Sequence, residues 1–137
     1  MFFLYKHCII MRLKNLSLSY GSALLKALSD EARIRILNLL LHHDELCISD
    51  MEQILDYTQT KTSRHINYLK NAGIVSARKA DQWVFYHIKD EVEDIITSIL
   101  IYVEKDSALK HDIETFHAMY TNRELAVFRS ALPAPRH

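Results

Sequence analysis

Apolar residues recur at helical spacing in two long segments, and a segment of different pattern separates them. In the first, Ile34, Leu37, Leu40 and Leu41 recur at helical spacing, and in the second the apolar stripe spans residues 92–103. This spacing places the apolar side chains on one face of an α-helix. A shorter helix is predicted over residues 22–28, and Ser29 or Asp30 is placed to cap the helix that follows it.

Two further helix starts lie between these segments. Ser49 and Glu52 have the spacing of a capping box, which predicts that a short helix starts at Ser49. Thr58 is predicted to cap the next helix, and Gly73 follows its last turn, where a left-handed residue is favoured. Two helices joined by so short a connection are typical of a helix-turn-helix.

The helix that begins after Thr58 has two faces of different polarity. At 100° per residue, Thr62, Ile66 and Leu69 form a stripe that is predicted to be buried. His65 lies at the edge of this stripe, where a half-buried position is expected. The opposite face is polar and consists of Thr60, Ser63, Arg64, Asn67 and Asn71. Such side chains can exchange hydrogen bonds with base edges in a major groove.

Residues 74–88 change to an extended pattern, rich in aromatic and β-branched side chains towards its end. This pattern predicts a β-hairpin with Arg78 and Lys79 at its tip. A basic hairpin directly after such a helix is typical of a wing. The chain is therefore predicted to be mainly α-helical with one small β-hairpin wing, and the stripe over residues 92–103 is expected to form the main dimer helix.

The net charge of zero hides an uneven distribution of 17 basic and 17 acidic residues. Residues 58–89 carry six basic side chains against Asp81 alone, whereas residues 44–57 carry five acidic side chains and no basic one. Residues 90–114 carry eight acidic and two basic side chains. The basic block, which contains the predicted polar helix and the hairpin, is the local footprint that phosphate binding needs.

The glycine and cysteine counts exclude several classes of protein. Gly21 and Gly73 are too far apart to form a glycine-rich phosphate loop or a dinucleotide fingerprint. Cys8 and Cys47 cannot build a four-cysteine zinc site, and they fit a reducing compartment, so a cytoplasmic location is expected. The apolar runs are too short or too interrupted for a membrane span. No paired carboxylates and no nucleophile–base motif stand in a plausible context, so neither an enzyme nor a small-molecule substrate is expected.

Taken together and in order, these segments resemble the ArsR/SmtB-type repressors. The resemblance spans roughly residues 22–105, and its motifs are residues 27–37, 45–50, 58–69, 72–75 and 83–86. It implies a winged helix-turn-helix that dimerises through its terminal helices and represses transcription at double-stranded operator DNA with dyad symmetry. Residues 1–20 would then be an N-terminal arm, residues 21–105 the DNA-binding domain with its dimer helix, and residues 106–137 a helical extension and tail.

The resemblance also assigns side chains to DNA. Hydroxyl, amide and arginine groups of the recognition helix would contact base edges, whereas lysines and the basic residues of the hairpin would contact phosphates. The DNA-binding residues that it implies are Gln59, Thr60, Lys61, Ser63, Arg64, Asn67, Lys70, Arg78 and Lys79. The usual Gly-Arg of the family wing is Asp81-Gln82 here, which predicts weaker contact of the wing with DNA.

The effector is the point at which the chain departs from the family. Many members read Cys-x-Cys in the metal-box segment, but here Ser49 stands at the position of the second cysteine. Only Cys8 in the arm could then join Cys47 as a second thiol. Two interpretations stay open: a soft metal, metalloid or thiol-reactive effector at Cys47, or a buried thiol that acts as a small hydrophobe. The dimer-helix zinc site of other members is not expected, because the Asp-x-His start is missing at Asp90. The acidic segments and Asp81 also leave a second function open, a dimeric protein-interaction module whose winged helix no longer reads DNA.

Overall fold

The computed structural model describes residues 15–129, and these residues fold as a mainly α-helical domain with a two-stranded wing, which confirms the predicted fold class. None of the helices in this part of the chain is both long and apolar enough to cross a membrane. In chain order the elements are α1 (Leu18–Ala27), α2 (Glu31–His42), α3 (Ile48–Leu55), α4 (Gln59–Asn71), β1 (Val75–Ala80), β2 (Trp83–Ile88), α5 (Asp90–Leu100), α6 (Ser107–Thr121) and a short 3₁₀ helix, Ala126–Phe128.

The first two helices begin at capping side chains. The helix predicted over residues 22–28 begins earlier, at Leu18, because the Ser17 hydroxyl accepts a hydrogen bond from the Tyr20 amide at 3.0 Å. Of the two caps that the sequence left open for α2, Asp30 is the one used, and its carboxylate accepts from the amides of Ala32 and Arg33. These bonds satisfy amides that have no partner within the helix.

The capping box predicted at Ser49 is wrong. Helix α3 begins at Ile48 after Cys47, whose side chain makes no capping bond, so Ser49 lies inside the first turn. Its hydroxyl lies 3.1 Å from the Cys47 sulfur instead of capping an amide. A start one residue earlier removes Ser49 from the only position where it could act as a cap.

Helix α2 lies at the centre of the core and contacts α4, α5, α6 and the wing. Its residues Ile36, Leu37, Leu39 and Leu40 are all fully buried. Each such side chain stabilises the fold by about 1.5 to 3 kcal/mol relative to an exposed position. Elements from both ends of the described chain therefore share one hydrophobic core with the helix-turn-helix formed by α3 and α4.

The stripe predicted for the dimer helix is divided between the protomer's own core and its surface. Val92, Ile96 and Leu100 are buried in the core, and α5 ends at Leu100, so Val103 lies outside the helix and is exposed.

Helix α6 follows α5 and is held against α2 by a buried ion pair. Asp112, which is fully buried, accepts two hydrogen bonds from the Arg35 guanidinium, at 2.7 and 2.8 Å. Arg35 also donates to the Tyr57 hydroxyl at 2.9 Å. The carboxylate holds the pKa of Arg35 above its usual value, so the guanidinium stays charged.

The wing is an antiparallel hairpin in the register Val75↔Ile88 to Ala80↔Trp83. Arg78 pairs with Phe85 and is therefore not at the tip, which corrects the sequence prediction: Asp81 and Gln82 form the turn. Asp81 adopts a φ of 55°, the left-handed conformation that two-residue hairpin turns require. A backbone bridge between Leu46 and Tyr86 ties the segment before α3 to β2.

Candidate nucleic-acid interface

Helix α4 is placed by a cap at its start and by its buried side. The Thr58 hydroxyl accepts from the Lys61 amide at 3.1 Å, as predicted. Thr62, Ile66 and Leu69 are buried, and the Thr62 hydroxyl is satisfied by the Thr58 carbonyl at 2.9 Å. The opposite side of the helix is therefore directed away from the core.

The end of α4 is fixed by Gly73, as the sequence predicted. Gly73 has a φ of 79°, and a Cβ atom there would lie 3.2 Å from the Tyr20 ring. The Tyr20 hydroxyl donates to the Gly73 carbonyl at 2.6 Å, which joins α1 to the end of the helix.

Seven residues of α4 line one shallow depression, here called the polar face: Gln59, Thr60, Ser63, Arg64, Asn67, Tyr68 and Asn71. The structure thus brings together the hydroxyl, amide and arginine groups that the sequence assigned to base edges, together with Gln59. Among the described residues, no side-chain hydrogen bond or ion pair engages Gln59, Thr60, Ser63, Arg64 or Asn67. Their donors and acceptors are therefore available to a ligand.

The lysines predicted to contact phosphates differ in their surroundings. Lys70 and Lys79 are exposed, whereas Lys61 is half-buried, and its ammonium lies 3.9 Å from the centre of the Tyr57 ring. The ring holds the Lys61 charge beside the start of α4 by a cation–π contact.

Arg78 is half-buried and engaged in an ion pair that no local sequence pattern indicates. Its Nε and Nη2 atoms donate to the two carboxylate oxygens of Glu45, at 2.9 and 2.6 Å. Glu45 is buried, and this charge-assisted pair raises the pKa of Arg78. Arg78 therefore neutralises an internal carboxylate and is not a free positive charge on the wing.

His65 is buried rather than half-buried as predicted, because the helix turns it further towards the core. Burial lowers the pKa of His65, and the nearby charges of Arg64, Arg33 and Lys61 lower it further against the opposing effect of Asp30. The neutral ring can accept at Nδ1, which lies 3.4 Å from the Arg33 Nη1 atom. Arg33 and Tyr68 are the two residues near the polar face that sequence reasoning missed. Tyr68 lies at about 80° from Thr60 around the helix, beside the polar residues rather than among them.

Cys47 is only 3% exposed and packs with Phe85 and Ala126. Burial raises the pKa of its thiol, so the thiolate is disfavoured. Within residues 15–129 there is no group of three or more His, Cys, Asp or Glu side chains that could hold a metal ion. The predicted second thiol, Cys8, lies outside the described residues.

Comparison with known proteins agrees with this architecture. Residues 30–77 match the model of the bacterial regulatory proteins of the arsR family. The cadmium resistance transcriptional regulatory protein CadC of Listeria innocua is 40% identical over 79 residues, which cover 58% of this chain and 66% of that protein. The arsenical resistance operon repressor of Escherichia coli K12 is 33% identical over 99 residues, which cover 72% of this chain and 80% of the repressor.

The fold has a solved counterpart as well. The homodimeric winged helix-turn-helix DNA-binding domain of Mb0332 from Mycobacterium bovis superimposes with a TM-score of 0.59 at 24% identity, over 64% of this chain and 82% of that domain. The match to CadC covers just under two thirds of that regulator's length. The match to the Escherichia coli repressor covers more of that protein's length. Together with the matched family model, this match shows that the chain belongs to the arsR family of bacterial regulatory proteins.

Proposed function

We propose that this chain is a transcriptional repressor of the bacterial cytoplasm that binds double-stranded operator DNA as a homodimer and has no catalytic role. The observation that carries the proposal is the polar face of α4. It lies on the second helix of a helix-turn-helix, and its hydroxyl, amide and guanidinium groups have no hydrogen-bond partners in the described part of the chain.

In this proposal α4 enters the major groove and reads base edges. Arg64 suits the two acceptors of guanine, and Asn67 suits the donor and acceptor of adenine. Lys61, Lys70 and Lys79 then contact phosphates on either side, which fixes the position of the helix without selecting a sequence.

The homodimer is supported by large apolar and aromatic side chains that residues 15–129 leave exposed. Leu18 and Leu25 on α1 are 90% and 64% exposed, and Tyr102, just after α5, is 80% exposed. The similar Mb0332 domain is homodimeric. A two-fold dimer would present two α4 helices to successive major grooves about 34 to 36 Å apart.

The proposed route of release from DNA is an effector at Cys47, and because the thiol is buried and its thiolate is disfavoured, this route requires that the segment covering the thiol opens first. Residues 15–129 alone do not fit a metal site, because no three His, Cys, Asp or Glu side chains there are grouped so that they could hold an ion. An effector that reaches the thiol has to displace the segment around Ala126, which packs on it. A Cys47→Ser variant that is still released by every thiol-reactive inducer tested would remove this assignment.

The test of DNA reading is a fluorescence anisotropy titration with two duplexes. One is selected by the wild-type protein from a randomised pool, and the other is an unrelated duplex of the same length. Arg64→Ala is expected to reduce the preference for the selected duplex by about 10- to 100-fold, because a bidentate base contact is worth about 1 to 3 kcal/mol. Ser63→Ala is expected to reduce it less.

Arg123→Ala serves as the matched control, because Arg123 is an exposed arginine that follows α6. It is expected to leave both affinities unchanged. An unchanged preference in the Arg64→Ala variant would remove the assignment of the polar face. An intact dimer that binds neither duplex at low salt would instead support the protein-interaction module.

A further inference from the structure

Tyr68 is the one aromatic residue among those that line the polar face of α4. Its side chain is 36% exposed, although exposure of a large aromatic ring to water is unfavourable. Neither helix packing nor the base-reading groups of the polar face explain why an aromatic residue stands here. The structure explains what holds it in place.

The ring of Tyr68 is stacked on a guanidinium from another helix. The guanidinium carbon of Arg33 lies 4.0 Å from the ring centroid, within the range of a cation–π contact. Arg33 itself is anchored on α1 and α2: its Nε donates to the Ala27 carbonyl at 2.7 Å, and its Nη1 lies 3.8 Å from the Asp30 carboxylate. Since these groups belong to the core scaffold, they fix the plane of the Tyr68 ring relative to α4.

The Tyr68 hydroxyl has no hydrogen-bond partner within the described residues. A phenol on a held ring loses little conformational freedom when it binds a ligand. Tyrosine hydroxyls are among the groups that donate to phosphate oxygens in protein–DNA complexes. The fixed ring and the available donor together favour a contact with DNA.

The position of Tyr68 around the helix indicates phosphate rather than base. With Thr60 as zero and 100° per residue, Arg64, Tyr68 and Lys61 lie at about 40°, 80° and 100°. Tyr68 therefore stands at the border of the polar face, next to the lysine that flanks it. A helix seated in a major groove points its centre at the bases and its borders at the backbone.

We infer that the Tyr68 hydroxyl donates a hydrogen bond to a DNA backbone phosphate, and that Arg33 is the positioning residue that holds the tyrosine ring for this contact. The inference rests on the proposed function and adds a phosphate contact to it. Arg33 does not touch DNA in this arrangement, because its guanidinium is occupied by the core scaffold and by the ring.

The test is Tyr68→Phe, which removes the hydroxyl and keeps the ring. Dissociation constants are measured by anisotropy for the selected and the unrelated duplex over a series of KCl concentrations. Both constants are expected to rise by the same factor, about three- to tenfold for one lost hydrogen bond. The slope against log salt is expected to stay unchanged, because a neutral hydroxyl releases no counterion. Tyr120→Phe, an exposed tyrosine on α6, is the matched control and is expected to change neither constant.

Arg33 is tested through its coupling to the hydroxyl. Arg33→Met is expected to weaken DNA binding in the wild-type background and to have little further effect in the Tyr68→Phe background. A circular dichroism spectrum of each variant checks that it is folded. An equal loss in both backgrounds would mean that Arg33 acts independently of Tyr68, and it would overturn the positioning role.

Two other results would overturn the phosphate contact. One is wild-type affinity in Tyr68→Phe, and the other is a loss confined to the selected duplex, which indicates a base contact. If the wild-type protein binds neither duplex in the same titration, the proposed function itself fails, so the two failures are distinguishable.

Discussion

The polar face of α4 and the wing both carry basic residues that the sequence assigned to DNA, but the structure treats them differently. Arg64 stands on an exposed helix face without a hydrogen bond or ion pair in the described chain. Arg78, on β1, gives two hydrogen bonds to the buried carboxylate of Glu45. One arginine is available to a ligand, whereas the other is part of the internal structure.

This difference shows why a charge count along the chain overstates the positive charge that the wing can offer to DNA. The acidic segment over residues 44–57 directly precedes the basic block over residues 58–89, and the fold brings Glu45 of the first against Arg78 of the second. The Arg78–Glu45 pair cancels one charge from each. The positive charge available for phosphates therefore belongs mainly to α4 and to Lys79.

The largest expected effect tests whether Arg78 is structural. Arg78→Ala is expected to lower the free energy of unfolding by about 2 to 3 kcal/mol, because it leaves the Glu45 charge buried without its guanidinium. Urea denaturation measures the change. Lys79→Ala, the neighbouring exposed cation, is the control and is expected to change stability by less than about 0.5 kcal/mol. Equal stability of both variants would mean that Arg78, like Arg64, is not needed for the internal structure.

The next effect concerns the end of α4, which fixes where the polar face stops. Gly73→Ala is expected to lower the free energy of unfolding by about 1 to 2 kcal/mol, because a left-handed conformation is unfavourable for alanine. The Cβ atom would also crowd the Tyr20 ring at 3.2 Å. Thermal unfolding provides the measurement, with Gly21→Ala as the control, since its Cβ would meet no atom within 4 Å. If both substitutions cost the same, the Tyr20 contact and the left-handed turn do not fix α4.

Local pattern predicted the elements whose causes are local. The Thr58 cap, the buried stripe of α4 and Gly73 all follow from spacing within a few residues, and the structure has them. The start of α3 did not follow: Ser49 and Glu52 have the spacing of a capping box, yet the helix begins at Ile48 and leaves Ser49 inside its first turn.

The pattern of the sequence did not predict contacts between distant segments. The Arg78–Glu45 pair joins residues 33 positions apart, and the Arg33–His65 contact joins residues 32 positions apart. The hairpin was predicted, but its tip was displaced because register depends on where the turn forms. The candidate interface was thus predictable as a helix face, whereas the groups that position its neighbours were not.

A pH experiment compares Asp50, a buried carboxylate on α3, with Asp30, which lies beside α4. Burial raises the pKa of Asp50 above 3.8, so its protonated form stabilises the fold, and this stability is lost as pH rises through the folded-state pKa. Asp50→Asn cannot ionise, so its stability relative to the wild type is expected to increase as pH rises through that region. Urea denaturation at several pH values measures the difference.

Asp30 provides a control of opposite sign in the same experiment. Burial would raise its pKa, but hydrogen bonds from the backbone amides of Arg33 and Ala32 outweigh it and lower the pKa below 3.8. The stability from ionised Asp30 is present above that value and is lost as pH falls through the folded-state pKa. The stability of Asp30→Asn relative to the wild type is therefore expected to fall as pH rises. The same sign for both variants would contradict the contrast between their surroundings.

The smallest expected effect is on the salt dependence of DNA binding, which distinguishes a free cation from one that is already paired. Each phosphate neutralised by a free cation contributes about 0.9 to the slope of log affinity against log salt. Lys79→Ala is therefore expected to lower the slope by about that amount, whereas Arg78→Gln is expected to leave it unchanged, since Glu45 already neutralises Arg78. Glu45→Gln releases Arg78 from its partner and is expected to make the slope steeper, by up to about 0.9. Anisotropy titrations on the unrelated duplex measure all three. A lower slope in Arg78→Gln would mean that Arg78 leaves Glu45 to contact DNA, and the wing would then supply free positive charge to phosphates as α4 does.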